Sequence, residues 1–166
     1  YNYTKISKEH NFDIGTSDCL VIPKLYIKIT NNKDKNVDDW IKLFNNYITG
    51  EFSFIMFEFD EMMKLDKYFV GRDHVGVRPL YCCEDNDNID FYSSEMKGML
   101  EYEGKIQEFP PGTIKIVSNK TFEYSYEYNL YTNIYTLHSY LSEKNEELNK
   151  IVRDAVINSV KRRLIS

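Results

Sequence analysis

Apolar residues recur along the chain at two spacings, one typical of helices and the other of strands. The helical spacing predicts a helix between Asn36, which is a candidate N-cap, and Gly50, where the helix should end. Its apolar face is formed by Trp40, Ile41, Phe44, Tyr47 and Ile48. Such an aromatic face belongs to a hydrophobic core far more often than to a cofactor site, and we expect it to be core.

Alternating apolar positions predict strands elsewhere in the chain. The run 51–60 begins with this alternation, but Ile55 and Phe57 add apolar residues to the other face, so we expect a strand buried on both faces. Shorter strands are predicted at 68–70 and 90–93, and a hairpin at 114–117 and 122–126. The Pro110-Pro111-Gly112 segment before that hairpin predicts a tight turn with positive φ at the glycine.

Another helix is predicted to begin at Ser17, with Thr16 or Ser17 as its N-cap and Asp18 in its first turn. Pro23 would then remove one internal hydrogen bond and bend this helix. Cys19 should be buried in the helix and should not act as a nucleophile, because no histidine is close in sequence.

Two further helix starts are predicted from serine residues. Ser94 should cap a short helix that has Glu95 in its first turn. Ser142 should cap a longer helix, acidic at its start and basic at its end, which complements the helix dipole.

Composition narrows the class of protein. The 14 Tyr and 10 Phe bury large areas and favour strands, so a globular domain with β-structure is expected. A net charge of −5 gives no basic surface for nucleic acid. No apolar run approaches the roughly 18 residues of a membrane span. The adjacent Cys82 and Cys83 suit neither a disulfide framework nor a zinc site, so we expect a reducing compartment and no metal site.

Both ends of the chain look cut. It begins at Tyr1 without a methionine and stops at Ser166 directly after a basic helical run. We therefore expect an internal piece of a longer protein.

The segment Gly71–Tyr81 carries the most distinctive chemistry. Two glycines and a proline interrupt a strand there and predict a turn, and Arg72, Asp73 and Arg78 place charges of both signs in it. We expect Arg72 and Asp73 to be buried in ion pairs or hydrogen bonds, so that the three residues form a structural corner. A catalytic role would need an adjacent nucleophile, and the segment contains none.

As a string of residues, Gly71–Tyr81 resembles the GRDxxGxRPLY segment of glutamine-hydrolysing asparagine synthetases, in their amidotransferase half. Further segments of the chain agree with that family in order and spacing, so the resemblance covers nearly the whole chain. They are Tyr1–Asn2, Ser17–Cys19, Gly50–Phe54, Ser94–Met99 and Pro111–Gly112.

The resemblance implies an α+β fold of the Ntn-hydrolase type, an α/β/β/α sandwich of antiparallel sheets flanked by helices, of which this chain holds part. It assigns residues 1–128 to the class II glutamine amidotransferase (glutaminase) domain. Residues 129–141 would form a linker, and residues 142–166 the first helix of the ATP-binding synthetase domain.

The resemblance also implies a function. The whole enzyme would release ammonia from glutamine with an N-terminal cysteine thiol and use ATP and Mg²⁺ to amidate aspartate. The cysteine, the oxyanion residues and the ATP site would lie outside this chain, which would carry no catalytic residue and no cofactor. Its partners would be the small molecules glutamine, aspartate and ATP, its location the cytoplasm, and a homodimer is a candidate assembly.

One substrate contact is implied within the chain itself. Ser17-Asp18-Cys19 resembles the family segment whose aspartate binds the α-amino group of glutamine, which assigns that role to Asp18. Pro23 and Glu51 depart from the family pattern. The family residue after Gly50 is usually apolar and borders the ammonia passage.

Two alternatives remain open from the sequence. One is a non-catalytic interaction or regulatory domain that keeps the amidotransferase fold. The other is a related ATP-dependent amidotransferase with a different carboxylate acceptor, such as a β-lactam synthetase.

Overall fold

The computed structural model describes residues 2–15, 17–31, 37–84, 90–102, 104–118, 121–127 and 145–164. The chain divides into two compact units, of which the larger is Asn2–Asn129 and the smaller includes Leu130–Ser166. None of the described helices has both the length and the apolar character that crossing a bilayer requires.

Within its described residues, the larger unit contains three α-helices and seven strands. The helices are α1 (Tyr3–His10), α2 (Val21–Thr30) and α3 (Val37–Tyr47), with short 3₁₀ turns at Asp18–Leu20 and Met96–Met99. The strands are β1 (Ser53–Phe59), β2 (Leu65–Arg72), β3 (Tyr81–Glu84), β4 (Asp90–Ser93), β5 (Lys105–Glu108), β6 (Thr113–Ser118) and β7 (Thr121–Glu127).

The strands form two antiparallel sheets. Sheet A has the order β1-β2-β6-β7, and sheet B has the order β4-β3-β5. The predicted hairpin at 114–117 and 122–126 is confirmed as β6 and β7, and Gly112 before it has a φ of 64°. Strand β5 has no counterpart among the sequence predictions.

Sheet A lies between the helices and sheet B. On one face, Phe69 of β2 packs in a core with side chains from all three helices, including Leu25 and Trp40. On the other face, Val70 packs against Cys82 of sheet B and against Phe109. Because successive residues of a strand point to opposite faces, β2 contributes to both cores. This helix–sheet–sheet layering confirms the expected α+β class.

The prediction of double burial for β1 is wrong within the described residues. Its side chains alternate in exposure, and Ile55, Phe57 and Phe59 are exposed, with Phe57 at 55%. Among the described strands, β1 is hydrogen-bonded to β2 alone, so it lies at the edge of sheet A. The layer that covers Val70 does not cover these three side chains.

The helix predicted from Ser17 begins later than expected. A 3₁₀ turn over Asp18–Leu20 comes first, the α-helix starts at Val21, and Ser17 makes no side-chain cap hydrogen bond. Pro23 therefore lies in the first turn of α2, where N–H groups have no partner within the helix. The predicted loss of an internal hydrogen bond at Pro23 is wrong for that reason. Thr16 lies outside the described residues.

Helix α3 confirms the predicted helix, with Trp40 and Ile41 buried in the core. Tyr47 is exposed instead, and the proposed cap Asn36 lies outside the described residues. The short helix predicted at Ser94 begins at Met96. Ser93 takes the local role that we assigned to Ser94, since its Oγ accepts from the N–H of Glu95 and donates to the Glu95 carbonyl.

The smaller unit contains helix α4 (Asn145–Arg163), which has Lys161, Arg162 and Arg163 in its last turn. Several of its apolar side chains are exposed, among them Ile151 and Val156. Ser142 and the linker predicted at 129–141 lie outside the described residues.

Candidate functional site

Asp18 stands on an exposed turn at the start of the α2 segment. It is the first residue of the 3₁₀ turn, and its side chain is exposed to solvent. Buried Ile14 and Val21 flank this turn in sequence and anchor it to the core under the helices. The position therefore combines a fixed backbone with an accessible carboxylate, as a ligand for an ammonium group requires.

Hydrogen bonds fix the loop that leads to Asp18. Asp13 Oδ1 accepts from the N–H of Gly15 at 3.0 Å, and Lys24 Nζ of α2 donates to the Asp13 carbonyl. The N–H of Ser17 donates to the Ile14 carbonyl at 3.1 Å. The loop between α1 and the 3₁₀ turn is thus fixed by the Asp13 side chain, by Lys24 of α2 and by its own backbone.

The thiol of Cys19 is poorly suited to nucleophilic attack. Cys19 is exposed, so the prediction that it is buried is wrong, because it lies on the 3₁₀ turn and not on a core-facing helix. Local desolvation and the neighbouring Asp18 carboxylate raise its pKa, and Sγ donates to Asp18 Oδ1 at 3.5 Å. The thiol therefore stays protonated at neutral pH, whereas the thiolate is the reactive form.

Asp73 is the centre of the corner at the end of β2. It is 2% exposed, and its carboxylate accepts four backbone N–H groups. Oδ1 accepts from Val75 at 3.1 Å and Val77 at 3.0 Å, and Oδ2 accepts from Arg78 at 3.1 Å and Phe52 at 3.3 Å. One buried side chain thus fixes both the loop that follows it and the start of β1.

The backbone of Asp73 ties in further segments. Its N–H donates to the Phe52 carbonyl at 2.8 Å. Its carbonyl accepts from Gly76 at 3.0 Å and from Gly112 at 2.9 Å. The corner therefore links β1, β2 and the turn that opens β6.

Arg72 is also buried, at 4% exposure, and its guanidinium donates to three backbone carbonyls. Nε donates to Arg78 at 2.9 Å, Nη1 to Phe109 at 2.6 Å and Nη2 to Gly76 at 2.9 Å. Nη2 also lies 3.9 Å from Oε1 of Glu108. Because Phe109 directly follows β5, Arg72 joins the end of β2 to sheet B.

The burial and bonding expected for Arg72 and Asp73 are observed. Arg78 takes part differently, since its N–H and carbonyl bond to the other two residues while its side chain is exposed. The carbonyl and amide partners could not be read from the sequence. Phe109 is 37 residues from Arg72, and only the fold brings them together.

Asn2 is a bridging residue that sequence reasoning missed. Its Nδ2 donates to the Tyr47 carbonyl, and its Oδ1 accepts from the N–H of Thr49 at 3.0 Å. These bonds hold the start of α1 to the connection between α3 and β1. Segments 47–49 and 52 are therefore fixed by two side chains, Asn2 and Asp73, from distant parts of the sequence.

Among the described residues, no group of three or more His, Cys, Asp or Glu side chains is placed to hold a metal ion. The two places that the sequence singled out thus differ: the Asp18 turn is exposed, and the corner is buried and saturated with backbone contacts.

The profile of the glutamine amidotransferase domain family matches residues 1–101. The chain belongs to that family. The match includes Asp18 and the whole corner from Arg72 to Arg78.

Similar full-length proteins add detail to this amidotransferase assignment. The chain is 29% identical to asparagine synthetase B [glutamine-hydrolyzing] of Escherichia coli over 170 aligned residues, which is 100% of this chain and 27% of that protein. It is 32% identical to a probable asparagine synthetase [glutamine-hydrolyzing] of Dictyostelium discoideum over 130 residues, which is 75% of this chain and 20% of that protein. The chain thus spans about a quarter or less of these relatives.

A solved amidotransferase has the same fold. Glutamine phosphoribosylpyrophosphate amidotransferase from B. subtilis, complexed with ADP and GMP, matches with a TM-score of 0.59 and 22% identity. The match covers 78% of this chain and 27% of that protein. It confirms the Ntn-hydrolase type of architecture that the sequence resemblance implied.

Proposed function

We propose that this chain is the glutaminase part of a glutamine-hydrolysing asparagine synthetase, which amidates aspartate with ammonia released from glutamine. The similarity to the Escherichia coli asparagine synthetase over 100% of the chain is the observation that carries this proposal. Residues 1–128 would form the glutaminase domain, residues 129–141 a linker and residues 142–166 the first helix of the synthetase domain.

In this proposal Asp18 binds the α-ammonium group of glutamine. Its carboxylate is exposed on a turn whose flanking residues Ile14 and Val21 are buried, so an ammonium can reach it while the backbone stays fixed. A carboxylate facing an ammonium forms a charge-assisted hydrogen bond, which orients the substrate amide toward the nucleophile. The corner of Arg72, Asp73 and Arg78 would have a structural role.

The attacking thiol in this proposal is an N-terminal cysteine of the full-length enzyme. Cys82 and Cys83 are buried, and the pKa of Cys19 is raised, so the described thiols do not suit that role. ATP and Mg²⁺ would supply acyl activation of aspartate in the synthetase domain, and we assign no residue of this chain to them. We further expect a cytoplasmic enzyme, with a homodimer as its candidate assembly.

The test compares two nitrogen donors in the full-length enzyme. Asp18→Ala removes a bond worth about 1.5–3 kcal/mol, which lowers the glutamine-dependent kcat/KM about 10- to 150-fold. Synthesis from ammonium chloride should be unchanged, because ammonia does not need the glutamine site. Asp18→Asn should lower the glutamine-dependent kcat/KM as Asp18→Ala does, because it also lacks the charge. Asparagine keeps a short polar side chain, so a role that needs only such a side chain would be preserved.

The opposite result would come from a purely structural Asp18. Loss of a helix-terminal residue costs about 1 kcal/mol of stability and would affect both donors alike. Equal losses with glutamine and ammonium, or no loss with either, would exclude Asp18 as a substrate ligand. If the wild-type protein formed no asparagine from either donor, the assigned function itself would be wrong.

A further inference from the structure

Two lysines of α2 reach back to the segment that joins α1 to the first 3₁₀ turn. Lys24 and Lys28 are four residues apart and therefore lie on the same face of the helix. Lys28 Nζ donates to the His10 carbonyl at 3.2 Å, and Lys24 Nζ donates to the Asp13 carbonyl. Neighbouring donors on one helix thus bind the two ends of the segment 10–13.

The bond from Lys24 acts where the loop depends most on polar contacts. Gly15 has a φ of 53°, and among the described residues nothing beyond its chain neighbours lies within 4 Å of the position that its Cβ would take. Packing therefore does not support the backbone on that side. Asp13 fixes it instead, since its Oδ1 accepts from the N–H of Gly15 at 3.0 Å and its carbonyl accepts from Lys24. Because Asp13 is itself exposed, the half-buried Lys24 is its anchor to α2.

The bond from Lys28 lies in a part of the segment that has other support. The N–H of Phe12 donates to the Ser7 carbonyl at 2.8 Å, and Ser7 Oγ donates to the Phe12 carbonyl at 2.6 Å. Loss of the Lys28 donor should therefore leave the loop after residue 13 in place. Lys28 has the same residue type, the same helix and the same kind of acceptor as Lys24, so it provides a matched control.

We propose that Lys24 is a positioning residue for glutamine binding: by holding the Asp13 carbonyl, it keeps Asp18 where its carboxylate meets the α-ammonium group of the substrate. This inference rests on the proposed function, which assigns that contact to Asp18. Without Lys24 the loop populates other conformations, and the apparent affinity for glutamine falls with the fraction of molecules in which the loop is in place. Bound glutamine selects the same conformation as before, so the chemical step keeps its rate.

Hydrogen–deuterium exchange in the full-length protein without glutamine tests the loop itself. Lys24→Met removes the donor and keeps an unbranched side chain. We expect peptides covering residues 14–18 to exchange about 3- to 10-fold faster in this variant, as the loss of one net hydrogen bond predicts. Lys28→Met should leave their exchange unchanged. Unchanged exchange in Lys24→Met, or equal increases in the two variants, would overturn the inference.

Steady-state kinetics test the consequence for the substrate. Lys24→Met should raise the KM for glutamine about 3- to 10-fold with kcat within about twofold, while synthesis from ammonium chloride stays unchanged. Lys28→Met should leave these values unchanged, and Lys24→Arg, which keeps a cationic donor, should restore the KM. An unchanged KM in Lys24→Met, or equal losses with glutamine and ammonium, would contradict the positioning role.

Asp18→Ala in the same assay separates failure of this inference from failure of the proposed function. If Asp18→Ala impairs glutamine use and Lys24→Met does not, the assignment of Asp18 stands and the role of Lys24 is wrong. If neither variant impairs glutamine use, both assignments are wrong. A wild-type protein that forms no asparagine would contradict the proposed synthesis alone, because glutamate release still measures the KM for glutamine.

Discussion

Replacing Asp73 by alanine should destabilise the larger unit strongly, because four backbone N–H groups lose one charged acceptor. A hydrogen bond to a charged group contributes about 1.5–3 kcal/mol, so four taken additively would exceed about 6 kcal/mol. Water can reach part of the exposed loop 75–79 after the substitution, which lowers this sum. Removing one member of a buried charged cluster typically costs about 3–5 kcal/mol, and we expect a loss in that range.

The assay is urea unfolding of the chain, followed by the fluorescence of Trp40. This residue is the single tryptophan, is fully buried, and lies 5.3 Å from the ring centres of both Tyr26 and Phe69. Unfolding therefore changes its environment completely. With a slope of about 2 kcal/mol per molar urea, the midpoint should fall by about 2 M.

An exposed aspartate that accepts two backbone N–H groups instead of four provides a control for burial. Asp60 also accepts backbone N–H groups, from Met62 and Lys64 at 2.8 Å each, but it lies in an exposed turn. Asp60→Ala should therefore lower the free energy of unfolding by only about 1 kcal/mol, because water replaces the lost acceptor. Similar losses in Asp60→Ala and Asp73→Ala would refute the argument that burial makes the corner costly to disrupt.

Two further predictions concern stability. Burial and the charge of Lys28 lower the pKa of His10, whose Nε2 is buried and has no hydrogen-bond partner among the described residues. The unfolded chain therefore binds this proton more readily, and stability falls as pH drops through about 6.5. Urea midpoints at pH 7.5 and 5.5 should differ more for wild type than for His10→Gln, and equal differences would contradict this. Gly76→Ala should lose about 2–4 kcal/mol, since φ is 71° and a Cβ would lie 2.9 Å from Pro111 Cγ and 3.0 Å from the Arg72 guanidinium carbon. Gly15→Ala has a similar φ of 53° with nothing within 4 Å, so a loss as large there would mean that the contacts with Pro111 and Arg72 are unimportant.

Predictions from the sequence were confirmed where the local apolar pattern matches the packing of the element in the fold. The apolar face of α3 placed Trp40 correctly, and the paired alternation of β6 and β7 gave their hairpin. Charges inside the Gly71–Tyr81 turn correctly indicated buried polar contacts. The charges could not indicate their partners, because Phe52, Phe109 and Gly112 reach the corner only through sheet pairing.

The errors arose where the surroundings of a residue, and not its type, determine whether its side chain is buried. Ile55 and Phe57 are apolar, but a strand at the edge of a sheet need not be covered on both faces, so their exposure could not be read from the alternation. Cys19 looked like a core residue only as long as a regular helix was assumed to start at Ser17. The Asp18 assignment came from the family resemblance, since nothing in the local pattern distinguishes a ligand carboxylate from a capping one.

The position of β1 has a consequence for handling the isolated chain. Within the described part of sheet A, β1 has a neighbour on one side only, and its exposed face carries Ile55, Phe57 and Phe59. A strand at the edge of a sheet that exposes apolar side chains is a template for strand addition by another molecule. Such association competes with refolding in a concentration-dependent way. Dilution is therefore the condition that should preserve monomers during refolding.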